Sequence, residues 1–201
     1  MKLLYPLKGI GVVAGVYETQ GFGWNPHIYA QFGLKGHNGI DWAAPRGYPI
    51  QAAHSGRLIT NPKDPDGYGI YARVQWEEDG FTYDTVYGHM LKHNGGDRNV
   101  KAGEIIGYVN STGFSTGDHL HFGIRKKIGD TVIDVNNGYA GYFDPRPFLT
   151  NTMSETRVVK SKTSDTIYLC YPVPSWQHLQ ERASLEGFEI PDKIPDTDSL
   201  T

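Results

Sequence analysis

Two short histidine patterns in this chain have side chains and spacings that could bind a metal ion. His37 and Asp41 are four positions apart, and His119 and His121 are separated by one residue. Imidazole nitrogen and carboxylate oxygen together suit zinc, and a catalytic zinc site keeps three protein ligands and one open position. These four side chains are therefore candidates for three places around one ion. Their types alone do not decide which of them stays off it.

The local chain must have a particular shape to bring each pair to one ion. Residues four apart on an extended strand lie about 13 Å from each other, so the chain has to turn between His37 and Asp41. Asn38-Gly39 is a sequence that favours such a turn. His119 and His121 face the same way on a strand, because side chains alternate between its two faces. We therefore expect a turn before the aspartate and a strand that carries the second pair.

Spacing by itself does not identify a metal site in this sequence. The same four-residue spacing occurs a second time, at His93 and Asp97. Short motifs of this kind often arise by chance. For either pattern alone, ordinary surface or hydrogen-bonded histidines are the commoner explanation, and the rest of the sequence has to decide.

Strand-length apolar runs alternate with turn-forming sequences over most of the chain. The runs cover residues 39–43, 49–59, 70–76, 81–87, 104–109 and 119–125, and Gly, Pro, Asn and Asp cluster between them. In the last run, the two histidines alternate with Leu120, Phe122 and Ile124, which is the pattern of a strand with one buried face. No segment keeps a helical period over ten residues. We therefore predict a mostly β fold of antiparallel sheets.

Composition excludes several classes of partner and site. The formal net charge is -3, and there is no long run of Lys and Arg, which argues against nucleic acid and anionic membrane surfaces as partners. No window is apolar enough to span a bilayer, so membrane insertion is not expected. The single cysteine, Cys170, excludes an internal disulfide and a thiolate zinc site.

The sequence changes character near residue 150. Residues 151–165 are polar and rich in Ser, Thr and Lys, which is typical of a linker. A short strand is predicted at 166–171, and Ser175 is a suitable N-cap for a short helix after it. One strand and one helix cannot bury a core alone. We therefore predict a main domain at 1–150 and a small strand-helix appendage at 151–201, which docks on the main domain or on a partner protein.

Six short blocks follow one another along the chain and together resemble a known enzyme family. The blocks are Gly36-His37-Asn38-Gly39-Ile40-Asp41-Trp42-Ala43-Ala44-Pro45, Ala53-His54-Ser55-Gly56, Tyr87-Gly88-His89-Met90, Val100-Lys101-Ala102-Gly103-Glu104-Ile105-Ile106-Gly107, Ser111-Thr112-Gly113 and Ser115-Thr116-Gly117-Asp118-His119-Leu120-His121-Phe122. In this order they resemble the lysostaphin-like, or LytM-type, zinc metallopeptidases over roughly residues 20–147. Joint matching makes the resemblance far more specific than any single motif.

The resemblance implies a compact β fold with a substrate groove over antiparallel strands and one zinc ion per chain. It implies that zinc is bound by His37, Asp41 and His121, the second histidine of the H-x-H pattern. His119, the first histidine of that pattern, would then stand beside the metal together with His89. Zinc makes a bound water acidic and polarises the scissile carbonyl. The two free histidines would take the proton from that water, stabilise the oxyanion or protonate the leaving amine.

The resemblance also implies roles for residues around the groove. Family members often have a tyrosine near the first ligand that hydrogen-bonds the oxyanion, and Tyr29 is the candidate here. Ser115 and Thr116 lie in the loop before the H-x-H strand and are candidates for contact with substrate.

The remaining histidines are predicted to have no part in the chemistry. His54 lies in a stretch that the family uses as a strand and turn, so it is predicted to be structural. His93 and Asp97 lie in a Gly-rich loop and are predicted to be solvated. His27 and His178 have no partner pattern and are predicted to be surface residues.

The function that the resemblance implies is hydrolysis of peptide bonds in bacterial peptidoglycan, in a stem peptide or a cross-bridge, by a zinc-activated water. Two alternatives keep the same fold: a non-catalytic module that binds peptidoglycan or activates another hydrolase, and a phage virion or tail component that carries this domain. The first residues do not form the continuous apolar segment of a signal peptide. We therefore expect an enzyme that is phage-borne, released at lysis or exported by another route.

Overall fold

A computed structural model describes residues 1–11 and 13–150, and within residues 151–201 it describes three strands. For residues 61–63 and for those three strands, only the backbone is described. The chain divides into two compact units, Met1–Asn151 and Thr152–Thr201. The assignment of residues 1–150 as a peptidase domain and 151–201 as an appendage stays a prediction.

Strands make up nearly all of the regular secondary structure in the described residues of the first unit. Its strands are β1 (Leu3–Leu4), β2 (Tyr17–Gln20), β3 (Ile40–Ala43), β4 (Pro49–Gln51), β5 (Gly56–Asp64), β6 (Gly69–Glu78), β7 (Phe81–Gly88), β8 (Met90–His93), β9 (Arg98–Val100), β10 (Ile105–Val109), β11 (His119–Ile128), β12 (Thr131–Val132), β13 (Tyr142–Phe143) and β14 (Leu149–Thr150). One helical turn, α1 (Pro26–Tyr29), continues into a 3₁₀ turn at Ala30–Phe32, and a second 3₁₀ turn covers Arg146–Phe148. The prediction of a mostly β fold is confirmed.

The largest sheet is antiparallel and places β11 near its centre. Its strand order is β2-β3-β11-β7-β6-β5-β9, with β12 and β13 also pairing with β11. His121 on β11 lies opposite Asp41 on β3 and opposite Gly88 on β7. This register brings residues that are 80 positions apart in the chain to neighbouring positions on one sheet.

Alternation along β11 separates the core from the opposite face of the sheet. Leu120, Phe122 and Ile124 are fully buried in the hydrophobic core, as the apolar pattern of this strand predicts. The core also contains Ile50 and Ile106 from the smaller sheet β4-β10-β8. The histidines of β11 lie on the other face, so core packing fixes the strand on which they stand.

The same sheet carries a buried charge cluster on β6, β7 and β11. Asp84 is fully buried and lies 3.1 Å from Arg73 Nη1, 3.3 Å from Arg125 Nη2 and 3.9 Å from Lys127 Nζ. Gln75 Nε2 donates a hydrogen bond to the second carboxylate oxygen at 3.0 Å. A buried carboxylate needs such partners because burial of an unpaired charge is costly.

Some predicted element bounds are wrong. The run 49–59 is two strands in different sheets, β4 and β5, because the backbone N–H groups of Ala52 and Ala53 bond to Glu104 O and Tyr87 Oη instead of continuing a ladder. In the second unit, β15 (Arg157–Ser161) pairs with β16 (Ile167–Cys170) and β17 (Phe188–Glu189). The predicted strand at 166–171 corresponds to β16.

The predicted linker contains a strand, and the predicted helix cannot be compared. Two adjacent β-branched residues, Val158 and Val159, favour the extended chain of β15 inside the polar stretch 151–165. The helix predicted from Ser175 lies outside the described residues. Among the helices that the structure describes, no segment has the length and apolar character needed to cross a membrane.

Candidate metal centre and active site

Three donor atoms converge where β3 meets β11. His37 Nε2 lies 2.9 Å from His121 Nδ1 and 3.1 Å from Asp41 Oδ1, and His121 Nδ1 lies 3.0 Å from the same oxygen. All three residues are buried. Asp41 and His121 are held in register by the sheet, and the chain bends through Asn38-Gly39 so that the first histidine reaches them. The turn that the sequence predicts is therefore present.

This triangle of atoms fits a small cation. Donors around a tetrahedral ion at about 2.0–2.1 Å lie roughly 3.3–3.4 Å apart, close to the separations observed here. His37 Nδ1 lies 3.3 Å from the carbonyl oxygen of Gly21, to which it can donate, and this leaves the Nε2 lone pair directed at the other two donors. The lone pairs of these three donor atoms point at one another with no proton to share between them. A metal ion is the partner that best satisfies all three.

The protonation states of Asp41 and His121 suit a set of metal ligands. Burial alone would raise the pKa of Asp41, but the adjacent imidazoles of His121 and His37 outweigh it and hold the pKa well below its usual range. Burial lowers the pKa of His121, against the opposing effect of the carboxylate. An ionised aspartate and neutral imidazoles are the protonation states that bind metals.

The two remaining predicted histidines lie beside the triangle. The ring centroids of His89 and His119 are 4.5 Å apart, and His119 Nε2 lies 3.7 Å from Asp41 Oδ2. His89 Nδ1 lies 2.6 Å from Thr112 O, and His119 Nδ1 lies 2.8 Å from Gly117 O. Each backbone acceptor fixes an Nδ1–H tautomer, so Nε2 is the nitrogen that remains free to exchange a proton.

His89 sits in an unusual conformation between β7 and β8. Its φ angle of 59° lies in the left-handed region, which few residues other than glycine adopt. Its backbone N–H donates to Tyr68 O at 2.7 Å, which helps to hold this geometry. Burial, followed by the nearby His121 and His119, lowers the pKa of His89 to about 3. The ring is therefore neutral at pH 7.

A groove of about 440 Å³ opens over these residues. Its lining residues are Gln20, Ile28, Tyr29, Phe32, Leu34, His37, Asn38, Asp41, Gly67, Tyr68, His89, Phe114, Ser115, Thr116, His119 and His121. The three predicted contact residues, Tyr29, Ser115 and Thr116, are all among them. The Tyr29 ring lies 5.1 Å from that of His37, and its hydroxyl donates to Gln20 Oε1 at 3.0 Å. Burial, and then the charge of Asp41, raises the pKa of this hydroxyl.

Sequence reasoning missed the residues that orient His121. The Tyr68 ring packs 5.1 Å from the imidazole, and its hydroxyl accepts a hydrogen bond from Asn38 Nδ2 at 3.1 Å. A Cβ atom placed on Gly39 would lie 2.5 Å from the imidazole Cε1. His121 Nε2 is buried and has no hydrogen-bond partner among the described residues. Packing therefore orients this ring. The sequence feature that could have indicated these contacts is Asn38-Gly39, inside the first motif.

The other histidines with described positions lie away from the triangle. His93 Nε2 lies 2.9 Å from Tyr71 O, and exposed Asp97 accepts hydrogen bonds from the backbone and hydroxyl of Thr60. His54 stacks on Trp76 with ring centroids 4.3 Å apart. His27 is exposed on α1, and His178 lies outside the described residues.

Curated relatives share this part of the chain. It is 36% identical over 127 residues to the DD-carboxypeptidase/endopeptidase Mpg of Neisseria meningitidis serogroup B, covering 62% of this chain and 28% of the relative. It is 37% identical over 111 residues to the glycyl-glycine endopeptidase ALE-1 of Staphylococcus capitis, covering 51% of this chain and 28% of the relative. The match thus spans little more than a quarter of the length of either relative.

Solved structures and a family description agree with these relatives. The catalytic domain of lysostaphin from Staphylococcus simulans aligns with a TM-score of 0.52 and 31% identity, over 65% of this chain and 90% of that domain. The description "Peptidase family M23" matches residues 35–136, which contain all three residues of the triangle and both flanking histidines. The resemblance to lysostaphin-like peptidases is thereby confirmed, and the chain belongs to peptidase family M23.

Proposed function

We propose that this chain is a zinc metalloendopeptidase that hydrolyses peptide bonds in bacterial peptidoglycan. The observation that carries the proposal is the convergence of His37 Nε2, Asp41 Oδ1 and His121 Nδ1 within 2.9–3.1 Å of one another at the base of a groove. Membership of peptidase family M23 supports the reaction class. The names of the relatives, an endopeptidase of DD-type and one of glycyl-glycine type, support peptidoglycan as the substrate.

In this proposal His37, Asp41 and His121 hold one zinc ion per chain. These three residues are the group within the described chain whose ligand atoms could surround an ion. Two imidazoles and one carboxylate match the composition of catalytic zinc sites. Zinc, when bound, would act as a Lewis acid that makes water more acidic and polarises a carbonyl group.

His119 and His89 are proposed to handle the protons of the reaction. Hydrolysis removes a proton from the attacking water and delivers one to the nitrogen of the departing amine. Each histidine has its Nδ1 engaged by a backbone carbonyl, so each has one Nε2 that can accept and return a proton. The distance of 3.7 Å between His119 Nε2 and the second oxygen of Asp41 supports this role for His119.

Tyr29, Ser115 and Thr116 are proposed to contact the substrate. The Tyr29 hydroxyl is protonated at neutral pH, and its raised pKa keeps it so. If its proton turns from Gln20 Oε1 to the substrate, it can donate a hydrogen bond to the oxygen that gains negative charge during the attack. Ser115 and Thr116 also line the groove, and Ser115 Oγ lies 3.3 Å from His119 Nδ1.

The second unit is proposed to be an appendage without a catalytic role. The predicted division into a peptidase domain at 1–150 and an appendage at 151–201 is supported by the boundary between the two compact units. All the residues to which chemistry is assigned here precede that boundary. We propose that the appendage docks on the first unit or on a partner protein, with neither nucleic acid nor a membrane as a partner.

The experiment that tests this function compares the two H-x-x-x-D pairs of the chain. Purified wild-type protein is expected to contain about one zinc per chain and to release peptide fragments from purified peptidoglycan, detected by mass spectrometry. Asp41→Ala should lose both zinc and fragment release, whereas Asp97→Ala should keep both. A chelator should stop the release, and added zinc should restore it.

Two results would contradict the proposal. If fragment release survives in Asp41→Ala, the reaction does not depend on this ligand set. If the wild type holds zinc but releases no fragment from any peptidoglycan, the chain is a non-catalytic member of the fold.

A further inference from the structure

Two exposed phenylalanines, Phe32 and Phe114, line the groove and contact each other. Phe32 ends the 3₁₀ turn after α1 and is 44% exposed, and Phe114 lies in the loop before β11 and is 47% exposed. Their ring centroids are 5.2 Å apart in an edge-to-face arrangement. Ile28, which is 36% exposed, and Leu34 line the same groove. Together these four side chains form the apolar wall of the groove.

The apolar wall is next to the proposed reaction centre. Phe32 follows three residues after Tyr29, whose ring lies 5.1 Å from that of the ligand His37. Phe114 precedes Ser115, whose hydroxyl lies 3.3 Å from His119 Nδ1. Phe32 is thus close in the chain to a residue that packs against the proposed ligand His37. Phe114 is adjacent in the chain to a residue that lies near His119, a proposed proton carrier. A peptide bound at the centre would place its neighbouring side chains against the apolar wall.

The backbone on both sides holds the pair in place without substrate. Phe114 N–H donates to Gly67 O at 2.8 Å, and Leu34 N–H donates to Tyr29 O at 3.2 Å. Gly33, between the two apolar residues of the first side, has a φ angle of 72°, a conformation that suits glycine and turns the chain sharply. A preformed apolar surface of this kind binds a ligand at low ordering cost.

Exposed apolar side chains that cluster in a groove mark a ligand contact rather than a part of the core. Neither α1 nor the 3₁₀ turn after it has a buried residue, so their side chains are not needed to fill the interior. A glycine residue of the substrate has no side chain that could contact such a surface. An alkyl side chain can contact it, and the transfer of each methyl or methylene group from water to the surface favours binding.

We propose that the apolar wall is a subsite for an alkyl side chain next to the scissile bond, so that alanine-containing stem peptides are preferred over glycyl-glycine bridges. This inference rests on the proposed function and specifies its substrate class. The relatives leave the choice open, since one is named for DD-type and another for glycyl-glycine cleavage. The aromatic pair favours the alanine-containing substrate.

The test uses two synthetic peptides that differ only at the residues flanking the scissile bond, D-alanine in one and glycine in the other. Binding of each fluorescently labelled peptide to the full chain is measured with chelator present, so that no cleavage occurs. Zinc-dependent kcat/KM is measured separately. The variants are Phe32→Ala, Phe114→Ala, their double variant and the conservative Phe114→Leu. Tyr17→Ala is the matched control, because Tyr17 is 54% exposed and does not line the groove.

We expect the wild type to bind the alanyl peptide on the order of 10-fold more tightly than the glycyl peptide, the usual effect of one or two methyl groups in an apolar pocket. The double alanine variant should lose this preference, while Phe114→Leu and Tyr17→Ala should keep most of it. Equal binding of both peptides by the wild type, or a preference that survives in the double variant, would overturn the inference. An alanyl preference in binding without zinc-dependent cleavage would refute the proposed function and leave the subsite standing.

Discussion

Gly39 gives a direct test of how packing sets the metal centre. It lies midway between the proposed ligands His37 and Asp41 in the chain, and its Cα faces the ring of His121. A Cβ atom at this position would lie 2.5 Å from the imidazole Cε1 and 2.6 Å from the backbone oxygen of Phe122. Carbon atoms in ordinary contact are about 3.5–4.0 Å apart. Gly39→Ala therefore requires a displacement of roughly 1 Å by the ring, by β3 or by both.

The size of this displacement predicts the effect on zinc binding and on folding. Ligand distances in a metal site hold within about 0.2 Å, so a shift several times larger disturbs the donor triangle. We expect the zinc affinity of Gly39→Ala to fall by roughly 100-fold, as for other changes that misorient a ligand. Overpacking of this kind costs about 1–3 kcal/mol of folding free energy, which a domain of ordinary stability survives.

The assay is a zinc titration against a chromophoric chelator, with urea unfolding measured in parallel. Gly96→Ala is the matched control, because a Cβ atom there has no neighbour within 4 Å. The control should bind zinc as the wild type does. If Gly39→Ala binds zinc with wild-type affinity, the ring of His121 need not keep its place for the ion to bind, and packing against Gly39 does not set the metal centre.

Three further predictions concern the histidines, the charge cluster and the second unit. His89→Ala and His119→Ala should keep their zinc, measured by elemental analysis, and lose about 10²- to 10⁴-fold in peptide hydrolysis; near-wild-type rates would remove these residues from the mechanism. Asp84→Ala should lower the free energy of unfolding, measured in urea, by roughly 3 kcal/mol, because three cations lose their shared carboxylate; an unchanged midpoint would show that the cluster does not stabilise the sheet. A chain truncated after Thr150 should still bind one zinc, and loss of zinc on truncation would show that the second unit supports the site.

Alternation predicts the strands that carry the site. On β11, apolar residues at every second position leave the histidines on the opposite face, and the structure has the same arrangement. The turn at Asn38-Gly39 is also predictable, since the ligand spacing requires it. The exchange of sheets between β4 and β5 is not, because the continuous apolar run 49–59 contains no sign that Ala52 and Ala53 bond elsewhere.

The surroundings of the site depend on contacts that no local pattern encodes. β2 has little apolar character, yet it brings Gln20 to the hydroxyl of Tyr29. Tyr68 lies in the turn between β5 and β6 and reaches His121 only through the folding of the whole sheet. Residue types alone likewise do not show whether His119 or His121 binds the metal. Strand register distinguishes them, because His121 lies directly opposite Asp41, with its Nδ1 3.0 Å from the carboxylate, whereas His119 Nε2 lies 3.7 Å from it.

The most direct test of the proposed metal centre is anomalous diffraction at the zinc edge from crystals of the zinc-loaded protein. We predict one strong anomalous peak per chain, about 2.0–2.2 Å from His37 Nε2, Asp41 Oδ1 and His121 Nδ1. His89 and His119 should lie beside the peak without binding the ion. A peak at His93 and Asp97, or a peak bound by His119 in place of His121, would contradict the proposed metal centre.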